Sequence, residues 1–194
     1  MRRSGLAAAT LLVPKLRGQA LREFDVHAFG AIGDGAQYDT AALQRTIDAA
    51  VAAGGGRVLL RGGKKYLSGA LRLGSHVDFH LADDAQLVAS TRDGDYPTDA
   101  PGILTADGAV GLKVTGTGHI DGQAMKFMTT YSETDMRWEP KAFRPRMFWL
   151  LDCKELEVSG ISFGDSPNWG LHMLGCERVL VDGIRIRNRM DVPN

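Results

Sequence analysis

Several groups of residues in this chain have the types and spacing to do chemistry. His76-x-Asp78-x-His80 sets three ligand-type side chains on alternate positions of one run, which puts them on one face of a strand where they could hold a metal ion. The same alternation turns Val77, Phe79 and Leu81 the other way, so an outward polar face explains the pattern without a metal. Asp83-Asp84 is the paired carboxylate that acid–base catalysis uses. It falls in the turn before Ala85-Gln86-Leu87-Val88, where a structural role is expected. Gly30-Ala31-Ile32-Gly33-Asp34-Gly35 precedes a helix, as a phosphate-cradling loop would. Its glycine order departs from G-x-G-x-x-G and no Gly-Lys-Ser/Thr is present, so it reads as a turn. Trp169 has the ring to stack on a ligand, and His172 the nitrogens to hydrogen-bond one; packing is the competing role of each. Arg185, Arg187 and Arg189 alternate, and at least the first two should face out together, as a cationic stripe suited to a polyanion or as a solvated wall.

What must position these residues is a repeat. Cys153 to Phe163 and Cys176 to Ile186 match position by position at an offset of 23 residues. Each copy holds two short alternating apolar runs joined by a small-polar–Gly turn. A fixed period of this length marks a solenoid, in which a unit too short to bury its own apolar side stacks on a neighbour. Period-2 alternation makes the units strands. The expected fold is all-β, a parallel β-helix. Leu112 to Gly122 is a further coil, offset from Leu156 by 44 residues, and the surplus is the excursion Met125 to Pro145, which holds Phe127, Tyr131, Trp138 and Phe143. That excursion is expected either to touch a ligand or to cover the side walls. Tyr66 to Leu73 has the same run–Gly–run form, and Asp93 to Pro101 is a polar loop.

Upstream, Phe24-Asp25-Val26 reads as a first strand and Arg57-Val58-Leu59-Leu60 as the start of regular coiling. Between them Asp39 or Thr40 is the expected N-cap of a helix whose Leu43, Ile47, Ala50 and Val51 share one face, and Gly54-Gly55-Gly56 stops it. Such a helix would cap the open apolar end of the solenoid. The organisation is therefore residues 1–20 as an export signal, 21–56 as first strand and capping helix, and 57–194 as β-helix. Arg2-Arg3, the apolar run 5–13 and Gly18-Gln19-Ala20 carry the export reading and with it a periplasmic or secreted location.

Composition closes off other classes. Lys and Arg number 23 and so do Asp and Glu, which argues against nucleic acid as partner. No apolar run approaches the ~20 residues of a membrane span. Two cysteines make no disulfide framework. Stacked one strand spacing apart, Cys153 and Cys176 are expected as buried free thiols.

These segments together resemble one family. Phe29-Gly30-Ala31-x-Gly33-Asp34-Gly35, followed by Asp39-Thr40 and a helix, resembles the N-terminal signature of pectin-lyase-like β-helix proteins. Gly116-Thr117-Gly118-His119-Ile120-Asp121-Gly122-Gln123, Arg144-Pro145 and Ser166-Pro167-Asn168-Trp169-Gly170-Leu171-His172 resemble elements of glycoside hydrolase family 28, the polygalacturonases, with Asp165 in place of the usual Asn. The resemblance implies a right-handed β-helix and inverting hydrolysis of galacturonosyl bonds in a pectic polysaccharide, polygalacturonate or rhamnogalacturonan. It implies no cofactor and no metal. One carboxylic acid protonates the leaving oxygen while opposed carboxylates activate water. The family draws those acids from an Asn-Thr-Asp motif and a later Asp-Asp pair. Asn194 aligns with the Asn of the first, so the resemblance puts every catalytic residue beyond Asn194 and leaves His172, Trp169 and Asn194 as substrate contacts. The 194 residues alone are then expected not to cleave pectin, and to self-associate where the family is usually monomeric, through an exposed strand edge. A pectate-lyase-type enzyme and a non-catalytic carbohydrate-binding β-helix, such as a pseudogene product, are the competing readings.

Overall fold

The computed structural model describes residues 22–193, so the expected export segment over 1–20 and the expected substrate contact Asn194 lie outside the described residues. From residue 22 the alternating runs become a coil. Strand β1 (Glu23–Asp25) leads through a single 3-10 turn, Val26–Phe29, to β2 (Asp34–Tyr38) and helix α1 (Thr40–Ala52). The next turns of the coil are β3 (Gly56–Leu60), β4 (Lys65–Ser68) and β5 (Leu71–Arg72), then β6 (Val77–Leu81), β7 (Gln86–Ala89) and β8 (Gly102–Asp107). After β9 (Lys113–Gly116) and β10 (His119–Asp121) the chain leaves the coil for a hairpin, β11 (Met128–Ser132) with β12 (Arg137–Pro140), and returns at β13 (Arg146–Leu151). It ends with β14 (Lys154–Ser159), β15 (Ser162–Gly164) and β16 (Leu171–Leu174), followed by β17 (Glu177–Asp182) and β18 (Arg185–Arg187).

These strands stack in parallel into three walls. The first runs β1-β3-β6-β9-β14-β17, the second β2-β4-β7-β10-β15-β18 and the third β5-β8-β13-β16. The 23-residue register is realised, since Leu156 pairs with Val179 and Val158 with Val181, and the longer offset joins Glu157 to Lys113. Each wall sends apolar side chains inward in columns. Phe24, Val58, Phe79, Val114, Val158 and Val181 stack in the first wall. Tyr66, Leu87, Ile120, Phe163 and Ile186 stack in the second, and Leu71, Leu104, Phe148 and Leu171 in the third. Val181 and Ile186, on the last coil, stay 39% and 52% exposed; for the fully buried members each large apolar side chain is worth about 1.5–3 kcal/mol, so the columns hold the coil together and fix its register at once.

Where the first wall turns into the second, Gly116, Gly160 and Gly183 all have positive φ, at 112°, 75° and 60°. A Cβ on Gly116 would lie 1.9 Å from the Leu81 carbonyl oxygen and one on Gly160 2.4 Å from the Gly116 carbonyl oxygen, so close stacking at these two corners admits glycine alone. Helix α1 covers the N-terminal end. Leu43, Ile47 and Ala50 are fully buried, but Val51, expected on the same face, is 41% exposed; it lies at the rim, against Gly74. Asp39 stands at the N-cap without capping. Its carboxylate instead accepts from the backbone N–H groups of Ile32 (2.7 Å) and Gly33 (3.0 Å), so the glycine-rich segment is a turn locked by Asp39.

Other expectations are corrected in detail. Val26 leaves the first strand for the 3-10 turn, where Asp25 accepts from the N–H of His27. Tyr66 to Leu73 turns from the second wall to the third, whereas Cys153 to Phe163 turns from the first to the second. The third-wall strands β8 and β13 were not anticipated. Cys153 is buried and Cys176 only half-buried; both are free thiols. Burial pushes the Cys153 thiol up to about 11, so it is a packing residue and not a reactive one. Among the described residues no helix is long and apolar enough to cross a membrane.

Candidate functional site

Outward-facing residues of the third wall form a second set of columns, and these carry polar and aromatic side chains. Arg72, Thr105, Trp149 and His172 stand in register on β5, β8, β13 and β16. Trp169 precedes β16, and its carbonyl accepts from the Met147 N–H at 3.0 Å, which sets it beside Arg146. Four side chains meet there. The His172 ring centroid lies 4.4 Å from that of Trp149 and 4.9 Å from that of Trp169. The Arg146 guanidinium carbon lies 4.4 Å from the Trp149 ring centre and 5.2 Å from that of Trp169. The result is a cationic aromatic patch whose Trp169 face is 52% exposed.

The patch is under-satisfied. Arg146 Nε and His172 Nδ1 are buried and have no hydrogen-bond partner, although buried polar groups are nearly always paired. Burial, followed by the positive charge of Arg146, holds the His172 imidazole below its ordinary titration range. It is therefore neutral near pH 7, with one nitrogen free to accept or donate. A flat ring, an aromatic edge and a guanidinium together can stack on an apolar face, pair with a carboxylate and hydrogen-bond a hydroxyl. A shallow pocket of about 210 Å³ continues along the same wall between Arg72, Thr105, Asp107 and Trp149, with Arg72 tied to Asp99 at 2.8 Å.

The loop that presents Trp169 is held from below. Arg144 donates to the carbonyl oxygens of Pro167, at 2.9 Å, and of Pro193. The Ser166 N–H donates to Asn188 Oδ1 at 3.0 Å. The Asn168 side chain spans Arg144 O and the Trp169 N–H. The excursion after β10 packs as a hairpin, with Phe127 fully buried. Trp138 Nε1 donates to Asp191 Oδ2 at 3.2 Å, and the Tyr131 ring lies 5.5 Å from that of Trp138.

The structure thus brings Trp169 and His172 together, and adds Arg146 and Trp149. A sequence signal for the added pair existed. Carried upstream, the repeat offset of 23 sets Arg146 over Trp169 and Trp149 over His172. The remaining candidates are structural. Asp78 accepts from Arg57 at 2.8 Å and from Thr115 at 2.6 Å, and Thr115 accepts from His80 Nδ1 at 2.7 Å. Asp78 and His80 are thereby engaged in a ladder on the first wall, His76 lies ahead of β6 at positive φ, and no group of three or more metal-ligating side chains converges among the described residues. Asp84 sits at a turn with positive φ, and Asp83 accepts from Thr117.

The third wall of this parallel β-helix thus carries an aromatic, cationic trough. Residues 50–194 match the profile of "Glycosyl hydrolases family 28", and the chain belongs to that family. A Vitis vinifera protein named "Probable polygalacturonase" is 27% identical over 185 residues, which cover 86% of this chain and 37% of that protein. The chain therefore spans little more than a third of that relative's length. The crystal structure of a hyperthermoactive exopolygalacturonase from Thermotoga maritima superposes with a TM-score of 0.76 at 21% identity, covering 86% of this chain and 47% of that one; the shared fold is the right-handed β-helix. Mannuronan C5-epimerase AlgE3 of Azotobacter vinelandii is 60% identical over 47 residues, 24% of this chain and 3% of that protein.

Proposed function

We propose that these residues form the N-terminal coils and part of the substrate trough of a pectin-degrading glycoside hydrolase that cleaves galacturonosyl bonds with inversion. The observation that carries this reading is the stack of Trp149, His172 and Trp169 with Arg146, in a chain that belongs to family 28. A uronate offers what that patch takes up: a ring face for Trp169, a carboxylate for Arg146 and a hydroxyl for His172. In this reading Asn194 is a further contact, and the acid that protonates the leaving oxygen and the carboxylates that activate water come from coils beyond it. The chain alone then binds the polymer without cutting it. Export to the periplasm or the medium belongs to the same proposal, because the polymer is an extracellular one.

The test is a reducing-end assay on polygalacturonate, run with the 194-residue chain and with a longer chain translated through the reading frame past Asn194. The expected result is release by the longer chain only, with Thr-Asp and then Asp-Asp in its added sequence. Release by the 194 residues alone overturns the division of labour, and unsaturated products from the longer chain overturn hydrolysis in favour of elimination.

A further inference from the structure

The arginine stripe lies on a different wall from the Trp149 patch. Outward positions of the second wall place His119, Ser162 and Arg185 in one column and Asp121, Gly164 and Arg187 in the next. A groove runs over them in two lobes of about 540 and 510 Å³. The first is lined by His119, Ser162 and Arg185, the second by Asp121, Asp165 and Arg189, and both by His119 and Arg187. Arg185 and Arg187 are exposed, and neither forms an ion pair among the described residues. Arg189 is paired with Asp191.

Two features make this more than a solvated charged wall. Gly164 lies between Asp121 and Arg187 in their column, and the two form no ion pair among the described residues. Beside that column, Ser162 Oγ donates to the Gly118 carbonyl at 3.2 Å and meets His119 Nδ1 at 3.0 Å. The contact with Ser162 orients the His119 ring, which lines both lobes. The groove therefore offers cations (Arg185, Arg187) next to groups that bind hydroxyls (Asp121, Asp165 and the His119 ring). A phosphate or a nucleic-acid backbone would be repelled by the two carboxylates. An acidic sugar presents carboxylates to the arginines and hydroxyls to the acceptors at once.

We propose that this groove is a second binding site for an acidic oligosaccharide, separate from the third-wall trough. That the sugar is a uronate rests on the function proposed above. The experiment measures binding of the full 194-residue chain to a galacturonate hexamer, free or fully methyl-esterified, by calorimetry. Arg185→Gln with Arg187→Gln is expected to raise Kd for the free hexamer at least fivefold and to leave the Kd for the esterified one within twofold. Asp121→Asn is expected to weaken both. Both arginines are exposed, and an unchanged circular dichroism spectrum confirms that the double variant folds. Unchanged affinity of the double variant overturns the site; if Trp169→Ala lowers affinity in the same series, the proposed function stands without it. Equal loss of dextran sulfate binding by the double variant also overturns it, by reducing the groove to a general polyanion patch. A wild-type chain that fails to bind the free hexamer overturns it too, whatever a longer chain hydrolyses.

Discussion

Replacing Arg144 with Met tests whether the loop bearing Trp169 is held in place by one side chain. The guanidinium is half-buried, and burial lowers its pKa. It has no carboxylate partner among the described residues, and it donates to two carbonyls, those of Pro167 and Pro193. Each hydrogen bond from a charged donor is worth about 1.5–3 kcal/mol. Losing both removes roughly 3–6 kcal/mol, and relief of the desolvated charge returns part of that. Met keeps most of the stem packing, so the net loss should be about 2–4 kcal/mol. For a chain of this size that lowers Tm by roughly 5–15 °C. Arg144→Lys keeps the charge but lacks the planar fork that serves two acceptors, so it should fall between Met and wild type. Urea denaturation followed by circular dichroism gives the stability. Calorimetry with polygalacturonate gives the affinity, which should drop with Arg144→Met because Trp169 is no longer pinned. A Met variant that unfolds at the wild-type urea midpoint refutes the clamp.

The corner and the titrating groups give two more outcomes. Gly116→Ala must place a Cβ 1.9 Å from the Leu81 oxygen at a φ of +112° and should cost more than about 3 kcal/mol. Gly94→Ala, with nothing within 4 Å of its added Cβ, should stay within about 0.5 kcal/mol of wild type; equal urea midpoints for the two variants would discredit the stacked-corner argument. The His172 and His80 pKa values are both lowered from 6.5, first by burial and then by Arg146 and Arg57 respectively. The unfolded chain therefore takes up these protons before the folded one does. Their contribution to stability is whole above about pH 6.5 and is lost as pH falls toward the folded values. Proton NMR should place the His172 midpoint below 6.5 and Arg146→Gln should raise it, and a wild-type midpoint at or above 6.5 would contradict the burial argument.

The coil was legible where repetition was strict. Leu156 to Phe163 and Val179 to Ile186 share one register, and period-2 alternation has only one way to bury its apolar half. The third wall was not legible for a physical reason. Its strands Gly102–Asp107 and Arg146–Leu151 are as long as any in the coil, but the corners between second and third walls vary from a bare turn at Gly69 to the long excursion before Arg146. A period is lost when a corner changes length. The Asp39 cap misled for a related reason. A carboxylate beside a helix start satisfies whichever N–H groups are nearest, and the turn at Ile32-Gly33 offered two. Val51 shows the limit of a helical face, since the helix buries only as much of that face as the coil beneath it is wide.

The site and the fold are one pattern seen from opposite sides of the same strands. Phe148 points into the coil and stacks on Leu171, while its neighbour Trp149 points out and stacks on His172. A one-residue slip would exchange them, burying an indole beside a histidine and exposing a phenylalanine. The inward column makes that slip costly, because Phe148 also packs on Phe163 across the core at 5.4 Å. The register that stability enforces is therefore the register that aligns Arg146 with Trp169 and Trp149 with His172. The strands alone align Trp149 with His172, and the loop pinned by Arg144 adds Trp169. Outward side chains recur at the spacing of the coils, as the proposed binding of a repeating polymer along the stack requires.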